Sequence, residues 1–183
     1  VLLKAVSQAQ SVVERRNTIP ILANVLIEAE GEHVQFRATD LDIEVLDKAL
    51  AHVERAGATT VSAVTLHDIV RKLPDGALVT LSDDAAKGRL TVEAGRSVFS
   101  LATLPKEDFP IMATSEYAAN FSAPAPLLRR LFDKSKFAIS TEETRYYLNG
   151  VYLHVADADG GQVIRCVATD GHRLARVDAD LPE

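Results

Sequence analysis

The sequence holds one cysteine in 183 residues, Cys166, so no internal disulfide can form and a reducing setting, the cytoplasm, is expected. Cys166 lies in the strand-like run Val163-Ile164-Arg165-Cys166-Val167. A buried free thiol is the expectation there, because local sequence places no base beside it. No apolar run reaches membrane-spanning length, and no membrane partner is expected. The opening Val1-Leu2-Leu3-Lys4-Ala5-Val6 lacks the long apolar stretch and cleavage pattern of a signal peptide. It also lacks an initiating Met, so the sequence is expected to begin inside a longer chain. Missing too are a Gly-Lys-Ser/Thr phosphate loop, a His pair at helical spacing and a cysteine cluster. His33, His52, His67, His154 and His172 are scattered without ligand spacing, and neither metal nor cofactor is expected. Positive charge is the last shortage: the net charge is −6, which taken alone argues against a nucleic-acid partner.

What is present is a near-repeat. Ile21-Leu22-Ala23-Asn24-Val25-Leu26-Ile27, then a polar hairpin and Phe36-Arg37-Ala38-Thr39-Asp40, returns as Tyr147-Leu148-Asn149-Gly150-Val151-Tyr152-Leu153, a hairpin, and Cys166-Val167-Ala168-Thr169-Asp170. The offset is 126 residues on the first arm and 130 on the second, so the later hairpin is longer. A repeat of this kind governs the fold and is read first. With 47% apolar and 25% charged residues, the chain can fill the core of one large domain or two smaller ones.

Helical periodicity marks three segments: Leu2 to Arg16, Thr65 to Leu73, and one opening at Pro126 and running to Phe137. Their apolar sets are Leu2, Val6, Ala9 and Val13; Leu66, Ile69, Val70 and Leu73; and Leu127, Leu128, Leu131, Phe132 and Ala138. The opposite faces gather Lys4, Arg15, Arg16, Arg71, Lys72, Arg129, Arg130, Lys134 and Lys136 against only Glu14, Asp68 and Asp133. The helices thus carry +6 and the remainder −12. Basic helices on an acidic body suit a protein that holds a phosphate backbone on one surface and repels it elsewhere. A solvated face explains any one such helix equally well; three of one sign favour function.

Short, partly alternating runs read as strands: Val25–Ala29, Val34–Arg37, Ile43–Leu46, Leu78–Leu81, Leu90–Glu93 and Ser97–Leu101. Helix-then-strands order therefore occurs three times, an α+β arrangement of repeated half-units with the helices expected on one face. Residues 1–117 are expected to form one domain and 118–183 the first half of a second, with Pro105 to Ala119 as linker.

Asp40, Asp42 and Glu44 share one strand face, where a solvated reading outweighs a metal cluster. Asp157-Ala158-Asp159-Gly160 lacks the downstream acidic ligand of a calcium loop and reads as a hairpin. Thr169-Asp170-Gly171-His172-Arg173 holds a hydroxyl, an acid and a histidine, but neighbours in a turn diverge where a triad needs convergence.

Arg145-Tyr146-Tyr147-Leu148-Asn149-Gly150, Ala168-Thr169-Asp170-Gly171-His172-Arg173-Leu174-Ala175, and Phe99-Ser100-Leu101-Ala102-Thr103-Leu104-Pro105 with Asp108-Phe109-Pro110 resemble the bacterial sliding clamp family, the β subunit of DNA polymerase III; Asn17-Thr18-Ile19-Pro20-Ile21-Leu22 fits as well. The resemblance spans essentially the whole chain. It implies a non-catalytic ring of three-domain subunits that encircles duplex DNA and tethers the polymerase. It also implies that this sequence covers domain 1, without its first strand, and about half of domain 2, with the third domain absent.

By that resemblance Arg16 and Arg71 face DNA, joined on helix geometry by Arg15, Arg129 and Arg130. Leu148, Thr169, Gly171, His172, Arg173 and Leu174 form one wall of a pocket for short polymerase and clamp-loader peptides. Arg96, Phe99 and Leu101 belong to the subunit contact, with Phe99 and Leu101 as apolar anchors, in a homodimer of the full-length protein that this fragment is not expected to form. Glu142 stands where the family often has a neutral or basic residue. Two other readings stay open: a small-molecule enzyme built around Asp170 and His172, and a peptide-binding scaffold that does not touch DNA.

Overall fold

The structure, a computed structural model, describes residues 1–13, 18–112 and 120–181. The chain divides into two compact units, Val1–Thr114 and Ser115–Glu183. Unit 1 runs α1 (Leu2–Val12), β1 (Asn24–Glu30), β2 (His33–Thr39), β3 (Glu44–Leu50), β4 (Gly57–Ser62), α2 (Ala63–Val70), β5 (Thr80–Asp84), β6 (Arg89–Ala94) and β7 (Ser97–Leu104). Its strands form one antiparallel sheet in the order β3-β2-β1-β4-β7-β6-β5. Unit 2 holds α3 (Ala125–Ser135) and a three-stranded antiparallel sheet of β8 (Tyr152–Ala158), β9 (Gly161–Thr169) and β10 (Leu174–Asp180). The mixture of helices with antiparallel sheets is α+β.

Alternation along the strands builds the core of unit 1. Leu90 and Vals 92 and 61 turn inward, while Arg89, Thr91 and Glu93 are on the other side of β6. Val25, Ile27, Phe36 and Ala38 from β1 and β2 join Ala5, Val6 and Ala9 of α1 and Leu66 and Val70 of α2 in one cluster. Both helices therefore cover the same sheet face. In unit 2, Ile164 and Cys166 of β9 meet Leu131 of α3. Helix α3 packs on β9 and β10 as α1 packs on β2 and β3.

The helix limits differ from those read in the sequence. Backbone at Val13 is already extended (φ −73°, ψ 122°), so α1 stops at Val12, where two β-branched residues meet. Arg15 and Arg16 lie outside the described residues. Helix α2 begins at Ala63 rather than Thr65 because the Ser62 hydroxyl caps it, accepting the Thr65 N–H at 3.3 Å. Helix α3 begins at Ala125, ahead of Pro126, and passes into a 3-10 turn at Lys136–Ala138. Phe132, read as part of its apolar half, is 39% exposed.

Among the strands that sequence reading missed is β4, at the centre of the unit 1 sheet. It pairs with β1 from Asn24↔Ser62 to Ala29↔Gly57, but with β7 only at Thr60↔Leu104 and Val61↔Thr103. The buried Thr60 hydroxyl strengthens that short seam. It donates to the Leu104 carbonyl at 2.8 Å and accepts from the Leu104 N–H at 3.2 Å and the Asn24 side-chain amide at 3.1 Å. Replacing Thr60 by Val strands two buried donors, and denaturant unfolding should show a loss of about 1–3 kcal/mol. Thr60→Ser, which keeps the oxygen, should lose less; a Val variant as stable as the parent would mean that the hydroxyl bonds do not hold the seam.

Candidate functional site

The outward faces of the helices carry cations in two states. On α2, Arg71 Nε lies 2.8 Å from Asp68 Oδ1. On α3, Arg129 Nε lies 3.5 Å from Asp133 Oδ2, and Lys136 Nζ lies 2.6 Å from Asp133 Oδ1. Asp133 is held below the usual carboxylate range, chiefly by the hydrogen bond from Lys136. Arg130 and Lys134 are exposed and make no ion pair among the described residues. Arg71, Arg129 and Arg130 are all exposed and available to solvent, as cations that meet a phosphate backbone must be.

The two copies of the repeat make the same turn. In unit 2, Asp170 Oδ1 accepts the backbone N–H groups of His172 and Arg173, both at 2.9 Å. Thr169 Oγ1 accepts the Gly171 N–H at 3.1 Å and donates to the Arg173 carbonyl at 2.7 Å. In unit 1, Asp40 Oδ1 accepts from Asp42 at 3.0 Å and Ile43 at 2.7 Å, and Thr39 Oγ1 from Leu41 at 2.9 Å. Gly171 has φ +88° and Leu41 has φ +82°. Since Leu41 adopts this left-handed geometry, the turn does not demand glycine. What glycine adds at 171 is room: a Cβ there would meet Arg145 Nη1 at 3.2 Å, the atom that donates to the Asp170 carbonyl at the same distance. Arg145 is further tied to Glu142, Nε to Oε2 at 3.1 Å. Sequence reading used Arg145 as part of a motif and missed this crossing of the turn.

Around the turn, Asp170, His172 and Arg173 line a hollow of about 130 Å³ with Ile139, Ser140, Thr141 and Glu142. That is well below the roughly 300 Å³ at which ligand pockets begin, so the hollow by itself is only part of a peptide site. Arg173 bonds Asp170 Oδ2 at 2.9 Å, with its guanidinium 5.7 Å from the Phe137 ring centre. Thr169 and Leu174 face each other across the β9–β10 register, and Leu174 is 63% exposed. Leu148 is half-buried, and its carbonyl accepts the Ser140 N–H at 3.0 Å. The chain thus gathers Thr169, Gly171, His172, Arg173 and Leu174 at one end of the small sheet. The Asp170 carboxylate is occupied by the turn, and the His172 imidazole makes no hydrogen bond among the described residues. No acid orients a base there.

Strand β7 pairs along β6 through Ala94↔Ser97, whereas β4 reaches only Leu104 and Thr103, leaving the other side of Ser97–Leu101 without a strand partner among the described residues. Phe99 is half-buried against the core. Leu101, expected as an apolar anchor of the subunit contact, is 6% exposed and belongs to the core cluster, because alternation points it at the helices. The most exposed large apolar residue on this strand is Val98, at 65%; Arg96 sits in the preceding hairpin.

The backbone bonds from Arg173 and His172, with the Arg173 guanidinium, bring Asp170 down from the ordinary 3.8 to about 2. A depressed carboxyl stabilises the turn above the unfolded value, and the contribution disappears as pH falls through the folded one. The amide resonances of His172 and Arg173 should therefore titrate near pH 2; a midpoint at 3.8 would mean that the carboxylate is not held by the turn.

The profile of the DNA polymerase III beta subunit N-terminal domain matches residues 1–113, and that of its central domain matches residues 123–183. The beta sliding clamp of Caulobacter vibrioides is 53% identical over 182 residues, an alignment covering 100% of this chain and 49% of that protein. The beta sliding clamp of Pseudomonas aeruginosa is 42% identical, covering 99% and 48%. The solved structure of Caulobacter crescentus pol III beta superposes with a TM-score of 0.93 at 52% identity, covering 99% of this chain and 48% of that one. A sliding clamp from Bartonella birtlesii bound to griselimycin gives 0.93 at 49% identity, covering 100% and 48%. The chain spans about half the length of the curated relatives it matches. With both of its units matched in order, the chain belongs to the DNA polymerase III beta subunit family.

Proposed function

We propose that this chain is the N-terminal part of a sliding clamp, a non-catalytic cytoplasmic ring that surrounds duplex DNA and tethers the replicative polymerase. The observation that carries the reading is the TM-score of 0.93 to a clamp subunit across essentially the whole chain at 52% identity. DNA contact is phosphate-directed and independent of sequence, since the exposed helix faces offer cations. Arg71, Arg129 and Arg130 supply it, together with Arg15 and Arg16.

Partner subunits, polymerase and clamp loader alike, bring short linear peptides to the surface formed by Leu148, Thr169, Gly171, His172, Arg173 and Leu174. The solved relative that carries griselimycin supports a ligand site in this family. The hollow beside Asp170 is too small to hold a peptide unaided, so this surface acts as one wall. Residues 1–117 act as domain 1 and residues 118–183 belong to domain 2. The free side of β7, with Arg96, Val98 and Phe99, pairs with another subunit in the full-length homodimer; Leu101 braces that strand from within. A small-molecule enzyme is disfavoured because Asp170 is committed to its turn.

A labelled partner peptide titrated into the intact protein tests the pocket. Leu174→Ala removes exposed apolar surface without disturbing the core, and should weaken binding about 5- to 20-fold. Equal affinity for the variant and the parent would remove Leu174 from the site.

A further inference from the structure

Asp68 and Asp133 are the only acidic residues within α2 and α3, and each sits against a cation that the preceding proposal gives to DNA. As acid-first i,i+3 pairs, Asp68–Arg71 and Asp133–Lys136 lend their helices only weak support, and the position of each acid works against it. Asp133 lies in the last turn of α3 and Asp68 in the second half of α2, where the negative end of the helix dipole disfavours a carboxylate. In the pair Arg129–Asp133 the base precedes the acid by four residues, which is the weaker of the two orders. Both carboxylates are about half exposed and bury no surface that needs them. What each one touches is a cation of the exposed basic face: Asp68 takes Arg71, and Asp133 takes Arg129 and, just past the helix, Lys136.

We infer that Asp68 and Asp133 attenuate the phosphate contacts of their helices, each holding cations in an intrahelical pair that DNA must break or share. The inference rests on the clamp reading above. A phosphate oxygen and the aspartate compete for the same N–H groups, so each contact yields only the difference between two similar hydrogen bonds. Arg130 and Lys134, which have no such partner among the described residues, remain as full-strength contacts. A protein that must stay on DNA and still move along it needs contacts that are individually weak, and the pairs provide this on the protein side.

Binding of the intact protein to a duplex of about 30 base pairs, followed by fluorescence anisotropy from about 50 to 200 mM salt, tests this. Asp133→Asn, which keeps the shape and removes the charge, should tighten binding about three- to tenfold and steepen the log–log salt dependence by about one. Asp68→Asn should do the same through Arg71 alone, and by less. The double variant Arg129→Ala/Lys136→Ala runs alongside. If it weakens binding while Asp133→Asn leaves affinity and slope unchanged, or lowers them, the attenuator is wrong and DNA contact stands. If the double variant changes nothing, Arg129 and Lys136 do not meet DNA and the attenuator falls, while the clamp reading still rests on Arg71 and Arg130.

Discussion

The unit that the N-terminal profile covers depends on a two-residue ladder. Its seven strands make one sheet only because β4 bonds β1 along its whole length and β7 at Thr60↔Leu104 and Val61↔Thr103. Two registers are a thin join between halves that each have a helix of their own, and the Thr60 hydroxyl adds three bonds at that point, reaching both neighbouring strands. A buried hydroxyl with its donor and acceptor capacity in use costs little to bury and ties register tightly, since a slip would leave all its partners unpaired. Because the join holds, α1 and α2 share one core cluster and lie on one sheet face. Their charged sides can then act as one surface.

The repeated turn illustrates how one backbone device serves two purposes. A Thr and an Asp side chain each accept backbone N–H groups inside the turn, so the geometry is stored locally and survives a change of the residue at its left-handed position. In unit 1 that position carries Leu41, whose side chain projects half exposed. In unit 2 it is Gly171, and Arg145 occupies the space a side chain would fill. The Glu142–Arg145 pair anchors this arrangement from the preceding loop.

Charge is arranged at two scales. At the scale of the chain, an acidic body carries helices whose exposed faces are basic, the distribution that the proposed phosphate contact requires. At the scale of a single helix, Asp68 and Asp133 take part of that basic charge back. The acidic outer strands show the opposite habit. Asp178 is bound by Arg165 at 2.7 Å and by Arg176 at 2.9 Å, far below the usual carboxylate range and chiefly through Arg165, so there the cations are spent on the protein itself. Exposed charge and useful charge are therefore different quantities in this chain.

By itself the sequence determined the class of the fold, the internal repeat, the helix-strand order and the sign of the helix faces. These follow from local periodicity, hairpin chemistry and charge, all of which are written in neighbouring residues. It also marked Thr169 to Leu174 as a turn rather than a catalytic triad, because adjacent side chains diverge. Tertiary structure alone decided the rest. Strand β4, Gly57–Ser62, has a polar and small-residue composition that hides a central position, and its register with β1 and β7 comes from pairing partners far along the chain. Leu101 and Val98 sit on one strand within three residues of each other, yet only the packing of α1 and α2 on the sheet makes one core and the other surface. The space that Arg145 takes at Gly171 joins residues 26 positions apart, and no local pattern reports such a contact. Local rules see what a segment prefers; which side of it is covered depends on what the whole chain brings to rest against it.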